Sequence, residues 1–272
     1  MKKIFLAALA LFTAISVSAQ YKAPQIVANA GFHKHASSGV KNSMSALRAA
    51  QKAKVYGSEC DVNLTKDGHV LVVQSGWHPN RKAKPKADVQ RSTKEKMLSI
   101  PYANGEYICT LEEFLKRAAK KPATKLVLDL KDQATPQRES ELVDAVLDIV
   151  EKAGMQNKVE YIANHPWTCF DLVKKAPQGS KISLLAGGSN NYDPAYVKAM
   201  GCTGIDYNIG RLKKKKGWIK RAHKLGMTVN VWTVNKEADI RWCIQNGVDF
   251  ITTDDVLLTK KIIKEMCPKK KK

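Results

Sequence analysis

Short apolar segments alternate with amphipathic segments over most of the chain. Runs rich in apolar and β-branched residues predict nine strands, beginning near Gln25, Gly57, His69, Lys125, Val159, Lys181, Cys202, Thr228 and Phe250. Between most of them, apolar residues recur at helical spacing, as in segments 42–54, 111–120, 138–153, 218–225 and 237–246. Repeated strand–helix units predict a parallel sheet, and about eight such units predict an α/β fold closed into a (β/α)8 barrel.

The strands beginning near Gly57 and His69 depart from this alternation, because the tight turn Thr65-Lys66-Asp67-Gly68 joins them directly. Strands joined in this way are antiparallel neighbours, so one of the nine is an addition to the barrel. The turn also places position 74 beside Glu59, to within a residue. Segment 76–109 lacks clear periodicity, and we interpret it as an insertion above the barrel mouth. Since no linker divides the remainder, residues 20–272 are predicted to form a single domain.

The chain begins with two lysines, an apolar run and then small residues. This order predicts a signal peptide over residues 1–19, cleaved after Ala19. No later apolar run is long enough to span a bilayer, so no transmembrane segment is expected. The sequence therefore predicts an exported bacterial protein, located in the periplasm or secreted.

The formal net charge of +21 is strongly basic, and loss of Lys2 and Lys3 with the signal peptide would lower it to +19. Such a charge favours small anionic ligands and peripheral contact with anionic surfaces, although a solvated lysine surface is the alternative. The lysine runs at 82–86 and 213–216 and the basic tail at 267–272 contain no interleaved aromatic residues, so no specific nucleic-acid platform is predicted. The six cysteines lack metal-finger spacing and are expected to be mostly core residues.

Candidate chemistry is concentrated where predicted strands end, which is where barrel enzymes place their active sites. Glu59 and Asp61 are two residues apart on one strand and therefore point to the same face. Asp129 and Lys131 repeat this spacing on another strand. Three carboxylates thus converge near one lysine, and ligands that are all oxygen suit a hard cation such as Ca²⁺ or Mg²⁺. A buried ion-pair network between Lys131 and its acids is the alternative.

Several motifs are distributed over nearly all of the chain after the signal peptide: GSECDVNLTKDGHVLVVQS, KNSMSALRAAQKA, CTLEEFL, LVLDLK, VNVWTVN and NGVDFITTD. In their order and spacing they resemble the glycerophosphodiester phosphodiesterase family. The resemblance implies a distorted TIM (β/α)8 barrel of the PLC-like phosphodiesterase type. It also implies hydrolysis of glycerophosphodiesters, in which a divalent cation polarises the phosphate and two histidines act as general acid and base.

The resemblance assigns roles to five residues of this chain. Glu59, Asp61 and Asp129 correspond to the metal ligands, with Asp129 standing where the family usually has glutamate. Lys131 and Trp232 correspond to substrate-binding residues. The expected cofactor is therefore Ca²⁺ or Mg²⁺, and the expected partner is a small anionic phosphate ester.

The chain departs from the family at both histidine positions. Its first strand ends in Asn29-Ala30-Gly31 where the family has His-Arg-Gly, and its hairpin ends in Gln74-Ser75 where the family has His-Asp. An amide cannot exchange protons near pH 7. We therefore expect a divergent phosphoric diester hydrolase with weakened or altered catalysis. A non-catalytic periplasmic protein that binds phosphate esters or lipid head groups is the alternative.

Two other histidines lie close in sequence to the replaced positions. His33 follows Asn29 by four residues, and His78 follows Gln74 by four. Because loops can fold back over a barrel mouth, these residues are candidates for a relocated acid and base. Two solvent-exposed loop histidines are the alternative.

Overall fold

The computed structural model describes residues 21–35, 39–74, 76, 87–102, 105–187 and 190–268. The predicted signal peptide, Ser75, His78 and most of the predicted basic tail lie outside these described residues. Export of the chain, which was expected from the signal peptide, therefore stays a prediction.

Ten strands within the described ranges form one sheet. They are β1 (Gln25–Ala28), β2 (Gly57–Leu64), β3 (Val70–Val72), β4 (Cys109–Thr110), β5 (Lys125–Leu130), β6 (Val159–Ala163), β7 (Ile182–Ala186), β8 (Gly204–Asn208), β9 (Thr228–Trp232) and β10 (Phe250–Thr253). Eight of them are parallel and close into a barrel in the order β1, β2, β5, β6, β7, β8, β9, β10, with β10 paired to β1. The predicted (β/α)8 barrel is confirmed.

Strand β3 is the addition to the barrel that the tight turn predicted. It pairs antiparallel with the second half of β2, with Val72 beside Val62 and Val70 beside Leu64. The backbone N–H of Val73 continues the ladder by donating to Asp61 O at 2.9 Å. Residue 74 therefore follows directly beside the strand that carries the predicted carboxylates. The short strand β4 extends the hairpin on its other side and was not predicted.

Helices cover the outside of the barrel. They are α1 (Met44–Lys52), α2 (Lys94–Leu98), α3 (Leu111–Ala118), α4 (Pro136–Lys152), α5 (Pro166–Lys175), α6 (Pro194–Ala199), α7 (Ile209–Lys214), α8 (Gly217–Lys224), α9 (Glu237–Gln245) and α10 (Val256–Met266). A capping box explains why α3 begins directly after β4. The Thr110 hydroxyl accepts from Glu113 N at 3.3 Å, and the Glu113 carboxylate accepts from Thr110 N at 3.0 Å.

Side chains alternate between the two faces of each barrel strand, and this alternation positions the candidate site. On β2, Cys60 and Val62 join the apolar layer between the sheet and the helices. Glu59 and Asp61, on the opposite face, point into the barrel although both are buried. Carboxylates inside a barrel are costly to bury without partners, so their surroundings decide what they can do.

The described residues between β3 and β4 pack against the hairpin. Val89, Met97 and Ile100 form a second apolar cluster with Leu71 and Val73. Part of segment 76–109 is therefore folded against β3. Its interpretation as an insertion above the barrel mouth stays a prediction, because residues 77–86 lie outside the described residues.

Two further sequence expectations concern apolar residues. Within the described ranges, no helix combines the length and hydropathy that crossing a bilayer requires. All six cysteines are among the described residues, none forms a disulfide, and five of them are buried.

Candidate functional site

Three predicted carboxylates meet at the carboxyl end of the barrel. Asp61 on β2 lies beside Asp129 on β5 in the parallel register, and Glu59 is two residues before Asp61. Glu59, Asp61 and Asp129 are only 6%, 6% and 5% exposed. Each offers an oxygen within 4.8 Å of the oxygens of the others. We call these three residues the carboxylate cluster.

The loop after β1 holds Glu59 from one side. Ala30 N donates to Glu59 Oε2 at 2.5 Å, and Gly31 N donates to Glu59 O at 3.0 Å. Gly31 has a φ of +76°, and a Cβ atom there would lie 2.7 Å from Ala46 Cβ on α1. Only glycine combines this left-handed backbone with so close an approach, so Gly31 allows the loop to reach the carboxylate.

Asn42 holds Asp61, and sequence reasoning did not identify it. Its Nδ2 donates to Asp61 Oδ2 at 2.6 Å, and its Oδ1 accepts from Asp61 N at 3.0 Å. Asn42 is 3% exposed and precedes Ser43, whose hydroxyl caps α1 by accepting from Ala46 N. The available signal was the position of Asn42 in the KNSMSALRAA motif before a helix cap. Its contact with Asp61 arises only in the folded chain.

Lys131 lies against two members of the carboxylate cluster. Its Nζ forms ion pairs with Asp61 Oδ1 and Asp129 Oδ2, and its side chain is 23% exposed. The ion-pair network that was the alternative to a metal site is therefore present in the same place. If all four groups are ionised, their charges leave a surplus of two negative charges, which one divalent cation would balance.

Burial and mutual repulsion shift the pKa values of this cluster. Burial raises the pKa of Glu59 well above its usual range, and the charges of Asp61 and Asp129 add to the effect. Burial also raises the pKa of Asp129 to about 6. Burial lowers the pKa of Lys131, but Asp129 and Asp61 outweigh it and hold that pKa above its usual value. The three carboxylates therefore favour an additional positive charge among them.

The carboxylate cluster fits a divalent cation. Its ligand atoms are all carboxylate oxygens, which hard cations such as Ca²⁺ and Mg²⁺ prefer. The oxygens are close enough to share one ion. Glu59, Asp61 and Asp129 are therefore the residues that would hold it.

A cavity of about 230 Å³ opens beside the carboxylate cluster. Its lining includes Asn29, Lys41, Gln74, Asp206 and Trp232 together with the cluster and Lys131. The cavity is smaller than the usual range of about 300–1,000 Å³ for drug-sized ligands, which suits a ligand of few atoms. The structure thus brings both replaced histidine positions, 29 and 74, to the same cavity as the carboxylates.

Asn29 and His33 are both held by Asp254, which follows β10. Asn29 Nδ2 donates to Asp254 Oδ1 at 2.8 Å, and His33 Nε2 lies 3.0 Å from the same oxygen. Asn235 Nδ2 donates to the other oxygen at 2.7 Å. These contacts, that of His33 foremost, lower the pKa of Asp254. His33 is not among the described residues that line the cavity, and His78 lies outside the described residues.

Trp232 forms part of the cavity wall. Its indole Nε1 donates to Asp206 O at 2.9 Å. A Cβ atom on Gly187 would lie 2.8 Å from Trp232 Cη2, so the glycine leaves room for the indole ring. Trp232 is thereby fixed with part of its surface toward the cavity, next to the predicted metal ligands.

Two charged residues of the lining were not predicted. Lys41 has a side chain that is 46% exposed, with its Nζ 3.7 Å from Asp254 Oδ1. Asp206, in the middle of β8, is 2% exposed. Burial raises the pKa of Asp206 to about 7. A single acid within an otherwise apolar strand was the only sequence signal for Asp206.

A second acidic cluster consists of Asp132, Glu139 and His165, and we call it the Glu139 cluster. Glu139 is 2% exposed. It accepts four hydrogen bonds, from Gln133 N at 3.2 Å, His165 Nδ1 at 2.7 Å, Trp167 Nε1 at 2.5 Å and Thr168 Oγ1 at 2.5 Å. The cluster ties the start of α4 to the start of α5 and does not line the cavity described above.

Comparison with known proteins relates most of the chain to one family. The model of the glycerophosphoryl diester phosphodiesterase family matches residues 29–258. A glycerophosphodiester phosphodiesterase of Bacillus altitudinis is 25% identical over 233 residues, which are 83% of this chain and 94% of the relative.

Solved structures show the same similarity. The crystal structure of a glycerophosphodiester phosphodiesterase from Parabacteroides distasonis superposes with a TM-score of 0.82 and 31% identity, covering 90% of this chain and 98% of that one. An Oleispira antarctica phosphodiesterase, solved in complex with its product sn-glycerol-3-phosphate, superposes with a TM-score of 0.77. It is 16% identical, with 88% of this chain and 96% of that chain covered, and so shows the fold alone.

Proposed function

The chain belongs to the glycerophosphoryl diester phosphodiesterase family, and we propose that its cavity binds a small phosphate diester and hydrolyses it slowly. The family membership supports a phosphoric diester hydrolase by resemblance. The Oleispira antarctica neighbour binds sn-glycerol-3-phosphate, which supports a small phosphate ester as the ligand here. The cavity volume of about 230 Å³ is compatible with a ligand of that size.

The proposed cofactor is Ca²⁺ or Mg²⁺. Members of this family are typically dependent on a divalent metal, and Glu59, Asp61 and Asp129 are the residues that would hold it. When bound, such a cation polarises a phosphate oxygen as a Lewis acid. Asn42 keeps Asp61 oriented, and the Ala30 N–H keeps Glu59 oriented.

The phosphate is proposed to contact Lys41 as well as Lys131. Lys131 is already shared between Asp61 and Asp129. Among the described residues, Lys41 has a single ion pair, with its Nζ 3.7 Å from Asp254 Oδ1. The carboxylate of Asp254 already accepts hydrogen bonds from the side-chain amides of Asn29 and Asn235. Lys41 can therefore turn toward an anion at little cost. Its charge would take the place of the arginine that the resemblance expects at position 30, where this chain has alanine.

Slow hydrolysis follows from the groups at positions 29 and 74. Both side chains line the cavity, where the resemblance expects the general acid and base, and both are amides. An amide cannot transfer a proton near pH 7, and general acid–base assistance typically contributes about 10²- to 10⁴-fold. The leaving alkoxide would therefore depart without a proton from either position. This observation carries the proposal of weakened catalysis.

A non-catalytic binding protein for phosphate esters or lipid head groups is the second candidate. The arrangement of His33 favours it, because this histidine contacts Asp254 and is not part of the described cavity lining. His33 is thus the one of the two candidate acids or bases that the structure describes, and it contacts Asp254 rather than the cavity. Binding would need only the cation site, the lysines and the wall formed by Trp232.

The proposed location is the bacterial periplasm or the exterior. It rests on the predicted signal peptide over residues 1–19. The chain is also basic, with 46 lysines and arginines against 25 acids. The same charge supports peripheral contact with anionic surfaces and attraction of anionic ligands.

Glycerophosphocholine distinguishes the two candidates. The purified protein is incubated with this substrate and Ca²⁺ or Mg²⁺, and released glycerol phosphate is measured. Slow turnover that a chelator abolishes supports the hydrolase, whereas binding without turnover supports the binding protein. The Glu59→Ala, Asp61→Ala double variant is the control that removes the cation site.

Efficient turnover by the wild-type chain would contradict weakened catalysis. His33→Ala and His78→Ala variants would then show whether the acid and base have moved to those loops. If both variants kept full activity, other groups would perform the proton transfers.

A further inference from the structure

The exposed apolar side chains of the molecule are concentrated at one end of the barrel. Among the described residues, five large apolar side chains are about half exposed: Tyr107, Trp167, Phe170, Tyr196 and Leu257. Four of them lie within the first five residues of a helix that follows a barrel strand: Trp167 and Phe170 of α5, Tyr196 of α6 and Leu257 of α10. These helices begin at the carboxyl ends of the strands, so the four side chains surround the mouth of the barrel. We call this edge of the molecule the carboxyl rim.

Two aromatic rings of the carboxyl rim are fixed although they are exposed. The Trp167 indole donates to Glu139 Oε2 at 2.5 Å, and its ring lies 4.6 Å from that of His165. The ring of Tyr196 stacks on that of Tyr192, with the centroids 5.7 Å apart. Rings that are already ordered lose little further conformational freedom when a partner covers them.

Hydrogen bonds between loops join part of the carboxyl rim into one surface. Asn164, after β6, donates from Nδ2 to Asp132 Oδ2 at 3.1 Å, and its Oδ1 accepts from Asn190 Nδ2 at 3.1 Å. Arg211 of α7 donates to Asn191 Oδ1 at 2.9 Å. The loops after β5, β6 and β7 are therefore linked to one another and to the helix after β8.

The apolar side chains stand on both sides of the barrel mouth. Trp167 follows β6 and Leu257 follows β10, and these two strands are opposite each other in the closed barrel of eight. A flat partner can contact both side chains at once. The arrangement therefore favours a surface over a small ligand as the partner of the carboxyl rim.

Unpaired positive charge lies beside these apolar residues. The lysine run 213–216 joins α7 to α8, and α8 runs back to the start of β9, so the run is at the carboxyl end of the barrel. Lys213 pairs with Asp239. Lys214 and Lys216 are exposed, and neither forms an ion pair with a described residue.

The charge of the carboxyl rim favours an anionic partner. Acidic residues near the lysine run already have basic partners, as Asp193 has in Arg221 at 3.2 Å and Glu237 has in Arg241 at 2.7 Å. A second copy of this chain docked through the same face would bring the lysines of both copies together, which is unfavourable. An anionic lipid bilayer is flat, attracts lysines near its surface and accommodates tryptophan and tyrosine at the level of its head groups.

We propose that the carboxyl rim docks on the surface of an anionic lipid bilayer. Trp167, Phe170 and Leu257 enter the head-group region, and Lys214 and Lys216 contact lipid phosphates. The proposal rests on the peripheral contact with anionic surfaces proposed above, to which it gives a face and a partner. It does not depend on hydrolysis in the cavity, whose mouth faces the bilayer in this orientation.

Sedimentation with lipid vesicles tests this docking surface. The wild type is expected to bind phosphatidylglycerol vesicles and to bind phosphatidylcholine vesicles much more weakly. The Phe170→Ser, Leu257→Ser double variant should bind phosphatidylglycerol vesicles about 10-fold more weakly, because less apolar surface enters the bilayer. The Lys214→Gln, Lys216→Gln double variant should also lose about 10-fold or more, because each lysine near an anionic surface contributes to binding.

The Lys120→Gln, Lys121→Gln double variant is the matched control. These two lysines follow α3 at the opposite end of the barrel, are exposed and form no ion pair with a described residue. The control removes the same charge as the rim variant and should bind the vesicles as the wild type does. All proteins are compared in the same form, so that any contribution of residues 1–19 is common to them.

Two results would overturn the proposal. Equal losses in the two lysine variants would show general attraction by the basic chain, and unchanged binding by the Phe170→Ser, Leu257→Ser variant would exclude the apolar rim. Calorimetry of the same proteins with sn-glycerol 3-phosphate and Ca²⁺ tests the cavity separately and should give the same affinity in each. Binding of this ester without binding of phosphatidylglycerol vesicles would refute the docking surface and leave the phosphate site in place.

Discussion

The carboxylate cluster and the Glu139 cluster contain similar side chains, but they differ in the donors that face them. Glu139 accepts four hydrogen bonds, from Trp167 and Thr168 at the start of α5, from His165 just before α5, and from Gln133 in the segment before α4. The carboxylate of Glu59 accepts one, from Ala30 N, among the described residues, and lies beside two other acids. A buried carboxylate surrounded by donors is satisfied by the protein, whereas one surrounded by carboxylates favours a cation.

The comparison teaches that residue type alone does not identify a metal site. Both clusters have three potential ligands with oxygens or nitrogens within 4.8 Å of one another. Only the carboxylate cluster opens onto the cavity at the carboxyl end of the barrel. The Glu139 cluster joins two helices, and its histidine already contacts Glu139 at 2.7 Å and Asp132 at 3.5 Å.

The largest expected effect is on catalysis at the cavity of the carboxylate cluster. Combining Asn29→His, Gln74→His and Ala30→Arg should raise hydrolysis of glycerophosphocholine by about 10²-fold or more, because it restores an acid, a base and a phosphate ligand. Each change alone should do little, since acid and base act as a unit. Initial rates of glycerol phosphate release measure the effect. The gain should disappear when Glu59→Ala is added, and a gain that survives this addition would separate catalysis from the cluster.

Cation binding should distinguish the two clusters directly. In calorimetry, the Glu59→Ala, Asp61→Ala double variant should lose about 100-fold or more in affinity for Ca²⁺ or Mg²⁺, because two of its three ligands are removed. Glu139→Gln should bind the ion as the wild type does. The Lys131 ammonium and the short side chain of Asp129 should keep the wild-type affinity modest. Equal binding by the double variant would exclude the carboxylate cluster as the cation site.

Mutation of the Glu139 cluster should lower the stability of the protein more than mutation of the carboxylate cluster. Glu139→Ala should lower the free energy of unfolding by about 3 kcal/mol, because it leaves several buried donors without an acceptor. Glu59→Gln in metal-free protein should cost far less, since it relieves repulsion from Asp61 and Asp129. Denaturant unfolding with and without chelator measures both variants. A larger loss for Glu59→Gln than for Glu139→Ala would reverse the assignment of structural and functional clusters.

Asp206 is a third buried acid, and its carboxylate has a single described hydrogen-bond donor. Its ionisation should change how the stability of the protein depends on pH. Burial raises its pKa to about 7 in the folded protein, whereas an unfolded aspartate titrates near pH ~4. Between these values the folded state holds a proton that the unfolded state has released, so this group lowers stability as pH rises. Asp206→Asn should remove a fall of roughly 4 kcal/mol between pH ~4 and ~7. Parallel wild-type and variant curves would show that Asp206 stays ionised.

The smallest expected effect concerns Lys41 at the rim of the cavity. Lys41→Gln should weaken binding of sn-glycerol 3-phosphate by about 5- to 10-fold at low salt, because a half-exposed ammonium contributes roughly 1 kcal/mol. The loss should shrink at high salt, where exposed charges are screened. Lys34→Gln is the matched control, since Lys34 is exposed on the same loop but does not line the cavity. Equal losses in the two variants would indicate general attraction by the basic surface.

The local sequence pattern was sufficient to predict the barrel and the positions of the carboxylates in it. Strand alternation and helical periodicity act over a few residues, so five helices were predicted to within two residues of their ends. The E-x-D and D-x-K spacings placed Glu59, Asp61, Asp129 and Lys131 on inward faces because side chains alternate along a strand. The departure from the family at positions 29 and 74 is likewise visible in the sequence alone.

Only the tertiary structure decided which partners these groups have. Asn42 contacts Asp61, which is 19 residues later in the chain. Asp254 contacts Asn29 and His33, which are both more than 200 residues earlier. Asp206 is unsatisfied because closure of the barrel leaves Asn230 as its only described donor. Spacing along the chain determines the face on which a side chain lies. Hydrogen bonds, burial and pKa depend instead on which distant segments the closed sheet brings within a few ångströms.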